Sequence, residues 1–334
     1  MREIIVSANE AGQRFDKLLA KYLNEAPKSF LYKMLRKKNI VLNGKKATGN
    51  EKLVVGDRVK FFLSEDTIEK FSRHVVQCKK AKLDVLYEDE HVIFINKPVG
   101  MLSQKAKPQD TSLVEYLISY LLESGQLTKE ELKSFRPSIC NRLDRNTSGL
   151  VAAGKSLVGL QQMGELFKSR TLKKYYLTLV KGEVKKEQHI KGFLRKNEAT
   201  NTVNITGEKE ADNVPIETEY KPLFSNGKVT LLEVHLITGR THQIRAHLSS
   251  IGHPVIGDYK YGNRKMNQIF QEKYGLKSQF LHAYRIEMPV MEGELNSLSE
   301  KQIIAPLPKQ FARILKEEKI TKDDDYGNME FQGT

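Results

Sequence analysis

The stretch Asn141-Arg-Leu-Asp-Arg-Asn-Thr-Ser-Gly149 gathers charge and hydroxyl groups between apolar neighbours, Leu150-Val-Ala-Ala153 following directly. Such a composition makes a poor strand and a poor helix interior, so it reads as a loop, and loops held on a scaffold carry much of a protein's chemistry. Its candidate reactive group is Asp144, which has arginines at 142 and 145. A carboxylate held by a cation stays ionised and directed. In that form it can serve as a nucleophile or a general base toward sugar or base atoms. A second basic stretch, Thr238-Gly-Arg-Thr-His-Gln-Ile-Arg-Ala-His247, lies about a hundred residues downstream and could bring arginines to it.

Three other chemistries fit the residues less well. Gly149-Leu-Val-Ala-Ala-Gly-Lys-Ser156 satisfies the expression of a phosphate-binding loop, but its four inner residues form an apolar strand. Amides that alternate along a strand cannot converge on one phosphate. His242, His247 and His253 are spaced by five and six, which puts no pair on one helical face, and no cysteine lies nearby, so no metal is expected. Cys140 has no activating base beside it.

The residues that would position the loop belong to a chain of 334 residues, long enough for one sizeable domain and a smaller one. A net charge of +14 points to a polyanionic partner, nucleic acid first and an anionic membrane surface second. No apolar run approaches the ~20 residues of a spanning helix, and the start Met1-Arg-Glu-Ile-Ile-Val lacks the features of a signal peptide. Two cysteines cannot build a disulfide framework. A cytoplasmic monomer with no membrane association is expected.

Charge is unevenly spread. Residues 14–60 hold 13 Lys and Arg against 4 acids, most of the chain's excess. Apolar residues at helical spacing (Phe15, Leu18, Leu19, Tyr22, then Phe30, Leu31, Met34, Leu35) predict two helices broken at Pro27. Strands follow at Ile40–Leu42, with an Asn43-Gly44 turn, and at Arg58–Phe62. The expected organisation is a basic mini-domain over 1–65, a polar linker over 66–82, a large domain over 83–320 and a disordered acidic tail over 321–334. In the large domain, strands are predicted over 83–98, 150–153, 173–182 and 229–237. Helices are predicted over 111–123, begun by a capping box of Ser112 with Glu115, and over 157–167.

The mini-domain resembles the S4 RNA-binding domain in Arg14-Phe-Asp-Lys-Leu-Leu, Pro27-Lys-Ser-Phe-Leu and Lys38-Asn-Ile-Val-Leu-Asn-Gly44. That resemblance implies binding to structured RNA, with Arg14, Lys28, Lys33, Arg36 and Lys37 as phosphate contacts. The loop at 141–150 and Gly239-Arg-Thr-His-Gln-Ile-Arg-Ala-His247 together resemble the RluA family of pseudouridine synthases. Lys174-Tyr-Tyr-Leu-Thr-Leu-Val-Lys-Gly182, His253-Pro-Val-Ile-Gly-Asp258 with Tyr261-Gly262, and Leu281-His-Ala283 add to the likeness, which spans roughly 14–315.

The resemblance implies an α+β fold: a pseudouridine synthase domain with a large mixed, mainly antiparallel sheet, plus the small S4-like domain. It implies isomerisation of uridine to pseudouridine in structured RNA without cofactor or metal. By resemblance, Asp144 is the essential aspartate, Tyr176 packs on the target base, and Arg245 pairs with the aspartate. Arg142 would fill the stack left by a flipped-out uridine; flipping is physically required because the reacting atoms are inaccessible in a stacked helix. Arg145, Thr147, Arg240, His242 and Gln243 are expected on the RNA-binding surface. Asn141 stands where the family usually has His, and Asn146 where it commonly has Asp. Large-subunit ribosomal RNA, free or in assembly intermediates, is the expected substrate. The alternatives are a transfer-RNA enzyme and a non-catalytic RNA-binding assembly factor.

Overall fold

The computed structural model describes residues 1–72, 82–197, 199–200 and 202–320; most of the expected linker and the whole expected tail lie outside them. The N-terminal unit contains β1 (Arg2–Ile5), α1 (Phe15–Tyr22), α2 (Lys28–Arg36), β2 (Ile40–Leu42), β3 (Arg58–Phe61) and α3 (Glu65–Phe71). Its strands pair antiparallel in the order β1-β3-β2, as an S4-like fold would have them. The helical spacing read from the sequence buries Phe15, Leu18, Leu19 and Tyr22 from α1, and Leu31, Met34 and Leu35 from α2. Pro27, with its extended backbone, separates the two helices. Asn43 and Gly44 both take positive φ, the geometry that an Asn-Gly turn supplies.

Helix α3 occupies the first part of the segment expected to be linker. Its single fully buried side chain, Ile68, enters the small core, and Phe71 packs on Phe30 at 4.7 Å between ring centroids. Two apolar residues, Ile68 and Phe71, among Glu65, Asp66, Glu69 and Lys70 are too sparse a pattern to read as a core-facing helix. The N-terminal unit also touches the large domain: Ser134 Oγ donates to Glu10 at 2.6 Å, and Leu157 N to Asn9 at 3.2 Å.

The large domain runs β4 (Val85–Glu88), β5 (Val92–Lys97), α4 (Leu113–Glu123), α5 (Glu131–Ser134), β6 (Ser138–Ile139), β7 (Ser148–Gly154), α6 (Leu157–Ser169), β8 (Lys173–Lys181), β9 (Gln188–Asn197) and β10 (Thr202–Thr206). It continues with β11 (Val214–Ser225), β12 (Val229–Leu236), α7 (Gln243–Ser250), α8 (Arg264–Tyr274), β13 (Leu281–Glu287), β14 (Gln302–Ile304) and α9 (Lys309–Glu317). The strands form one sheet in the order β10-β9-β11-β12-β8-β13-β7-β5-β4, with β14 added to β13 and β6 to β7. Among the described residues its pairs are antiparallel except β13 with β7, so the sheet is mixed and mainly antiparallel.

Alternation along β8 sends its side chains to two cores. Tyr176 and Val180 join the core beneath α4, α6 and α7, whereas Leu177 and Leu179 join the core covered by α8 and α9. The single parallel pairing depends on Gly149. Its φ is +109°, and a Cβ there would stand 2.1 Å from the carbonyl oxygen of Ala283. Only glycine lets β7 and β13 approach at the exit of the catalytic-looking loop.

Candidate active site

The loop between β6 and β7 is fastened from below. Asn141 is a structural residue: its amide donates to Leu150 O at 3.2 Å and accepts from Ala152 N at 2.8 Å. Leu143 is buried, and both its backbone groups bond Ser103 Oγ. Lys97, fully buried at the end of β5, donates to the carbonyls of Pro98, Met101 and Arg145. Burial pushes its ammonium down to about 7, while Asp144 acts the other way. These contacts present Asp144 at the surface with its side chain 27% exposed, open to a substrate on one side.

The other side is closed by Arg245. The basic stretch 238–247 turns into helix α7 at Gln243, with all of residues 243–248 buried. The helix puts Arg245 Nη1 2.8 Å from Asp144 Oδ2. Its Nε and Nη2 grip Asp258 in a bidentate pair at 2.6 and 2.8 Å. Asp258 is itself fully buried and accepts from the backbone N–H groups of Lys260 and Tyr261. Burial would raise the Asp258 carboxyl, but Arg245 and those amides hold it below the usual carboxylate range. Burial would likewise disfavour the charged guanidinium, and the two carboxylates more than offset that. Asp144 therefore meets a cation whose direction is fixed by a second, inaccessible carboxylate.

Tyr176 lies opposite Val234 of β12 and Ala283 of β13, on the sheet face that carries the site. It is buried, and burial followed by the nearby Asp144 charge pushes its phenol well above the usual range, so it stays neutral. Lys174, two residues earlier on the same face, stands next to Gly239. Burial, with Arg170 adding, pushes its ammonium down to about 8.

This geometry unites Asp144, Tyr176 and Arg245 from three separate stretches. Residues 91–250 match the family described as RNA pseudouridylate synthase. The chain is 31% identical over 324 residues to a ribosomal large subunit pseudouridine synthase C of Vibrio vulnificus, covering 93% of this chain and 94% of the relative. The chain belongs to the RluA family of pseudouridine synthases. An Escherichia coli relative with the same name is 32% identical over 313 residues, covering 87% of this chain and 93% of its own. Human RNA pseudouridylate synthase domain containing 4 shares the fold, with a TM-score of 0.58 at 22% identity over 71% of this chain and 94% of its own.

Within this synthase, the other expected RNA-binding residues divide. Arg142, Arg145 and Arg240 are exposed at the rim, Arg145 also donating to Gly100 O. Lys28, Lys33, Arg36 and Lys37 are exposed on or beside α2. Arg14 is exposed but committed to Asp16 and Asn50. Thr147 and Gln243 are corrections. Thr147 is 2% exposed and its hydroxyl accepts from Gln279. Gln243, equally buried, bonds Glu217 O, Thr218, Thr238 and the Arg240 amide. Both pin the two loops rather than face substrate, because a buried polar side chain must be satisfied from inside. His247 also points inward, 3.1 Å from Thr218 Oγ1, and burial pushes its imidazole down to about 4. His242 is pocketed between Asp144 and Tyr261.

Sequence reasoning assigned no role to Asp258, Lys97 or Lys174. A usable signal existed for Lys97, a charged residue closing the apolar strand Val92-Ile-Phe-Ile. None existed for Asp258, since a buried carboxylate is recognised only with its cation.

Proposed function

We propose that this synthase isomerises specific uridines of large-subunit ribosomal RNA, with Asp144, Tyr176 and Arg245 as its reaction centre. The observation that carries the reading is the Asp144–Arg245–Asp258 chain. It holds one carboxylate at the surface, paired with a buried arginine, beside a buried aromatic ring, a site fit for an extruded nucleotide. Asp144 acts on that nucleotide while the N1–C1′ bond of uridine breaks; Tyr176 offers its neutral ring to the uracil as the base turns. A C5–C1′ bond then forms, the C5 proton is lost and N1 regains one, so the atoms balance with no external reagent. The curated relatives named for the ribosomal large subunit support that substrate, and the basic face of the N-terminal unit, read as an S4-like domain, supports RNA capture.

The test is a pseudouridine map of ribosomal RNA from cells lacking the protein, complemented with the wild-type gene or Asp144→Asn. Loss at defined large-subunit positions, restored only by wild type, is the expected result. Restoration by Asp144→Asn would remove the catalytic assignment, and an unchanged ribosomal map would remove the substrate.

A further inference from the structure

We propose that His242 is a positioning residue for Asp144, its proton placed on Nε2 by Tyr261, rather than a contact to RNA. The inference rests on the reading of Asp144 as the reacting carboxylate.

His242 precedes α7 with φ 55° and ψ 14°, the left-handed region that a residue with a Cβ adopts at a cost. That backbone turn aims the imidazole inward, leaving its side chain 8% exposed. Its Nε2 lies 3.8 Å from Asp144 Oδ2, and its Nδ1 lies 3.0 Å from the Tyr261 hydroxyl. The backbone N–H of Val203 donates to that same hydroxyl oxygen at 2.8 Å. The hydroxyl proton is then free to point at Nδ1. Nδ1 becomes the acceptor, and the neutral ring carries its proton on Nε2, facing Asp144. Tyr261 is held in turn, with the Arg245 guanidinium 5.2 Å from its ring centre.

The groups facing the ring are Asp144 from the β6–β7 loop, Arg245 from α7, and Asp258, Lys260 and Tyr261 from the following turn. Burial lowers the imidazole's affinity for a proton; Arg245 and Lys260 lower it further, against Asp144 and Asp258. The ring is therefore neutral near pH 7. The 3.8 Å gap exceeds a hydrogen bond, and it closes when RNA fills the site and excludes water, as catalytic contacts do. Arg245 and His242 then hold Asp144 Oδ2 from two sides and leave Oδ1 for the nucleotide. Protonation in acid converts the donor to an imidazolium that pairs with Asp144 and withdraws it from reaction.

The experiment compares single-turnover rates and RNA affinity across pH for the full-length protein on a ribosomal RNA fragment carrying the target uridine. His242→Ala should slow the step about ten- to a hundredfold, the span that one hydrogen bond to a charged group supports, with RNA affinity kept. His242→Gln should recover most of the rate, since its amide can place an N–H where Nε2 stood; His242→Asn, reaching only the Nδ1 position, should not. Tyr261→Phe removes the hydrogen bond that disfavours a proton on Nδ1, so the acid limb of the rate should move to higher pH. Asp144→Asn run alongside separates the two readings. If it retains the rate, the catalytic reading of Asp144 fails. If it abolishes the rate while His242→Ala weakens only RNA affinity, or Tyr261→Phe leaves the acid limb in place, this inference alone fails.

Discussion

Arg245 carries the largest calculable consequence, because its removal strands Asp258. In Arg245→Met the fully buried Asp258 keeps two backbone donors but loses its cation. Breaking a buried pair from one side costs about 3–5 kcal/mol. The sign of the pH dependence follows from the direction of the shift. In the wild type Asp258 is held below the usual carboxylate range, so its contribution is present above the unfolded value and lost as pH falls through the folded one. In the variant, burial without a cation raises the carboxyl, so folding is penalised increasingly as pH rises past the unfolded value. The stability gap should therefore be widest at about pH 7.5 and narrow toward about pH 4.5. Urea unfolding at both pH values measures it. Adding Asp258→Asn removes the stranded charge, and the double variant should regain about 2–3 kcal/mol relative to additive single changes. It should stay inactive, since Asp144 still lacks its partner. A gap equal at both pH values, or a cycle that closes additively, would refute the reasoning that Asp258 exists to hold Arg245.

Two further outcomes follow from the charge layout. Replacing Lys33, Arg36 and Lys37 on or beside α2 with alanine should reduce the slope of log affinity against log salt by about 2–3, at 0.7–0.9 per phosphate contact, with the single-turnover rate unchanged at saturating enzyme. Filter binding between low and physiological salt reads it, and an unaltered slope would remove the N-terminal unit from RNA capture. Lys174, with its ammonium pushed down to about 8, loses charge as pH rises past that value. RNA affinity of the wild type should fall between about pH 7 and about pH 9, and Lys174→Met should flatten that fall and lower the salt slope by about one. Equal pH dependence in both proteins would show that Lys174 does not meet a phosphate.

Much of this protein was legible one residue at a time. The spacing of Phe15, Leu18, Leu19 and Tyr22, the break at Pro27 and the capping box at Ser112 act over a few residues, so local physics fixed those elements. The motifs around Asp144 and Arg245 could be read for the same reason, since reactive groups must sit in short stretches that aim them. Helix α3 escaped because one buried Ile68 makes no periodicity, and α7 because its buried polar residues look like a loop until their partners are known. Thr147 and Gln243 were placed on the substrate surface by their neighbours in sequence, yet their hydrogen bonds run to Gln279, Glu217 and Thr218. Burial and long-range pairing are properties of the assembled sheet. The sequence by itself therefore determined which segments carry the proposed reaction centre and which local elements flank it. Only the tertiary structure decided which polar residues are exposed at the rim, which hold the loops, and that Asp258 stands behind Arg245, because a buried charge has meaning only beside the charge that pairs with it.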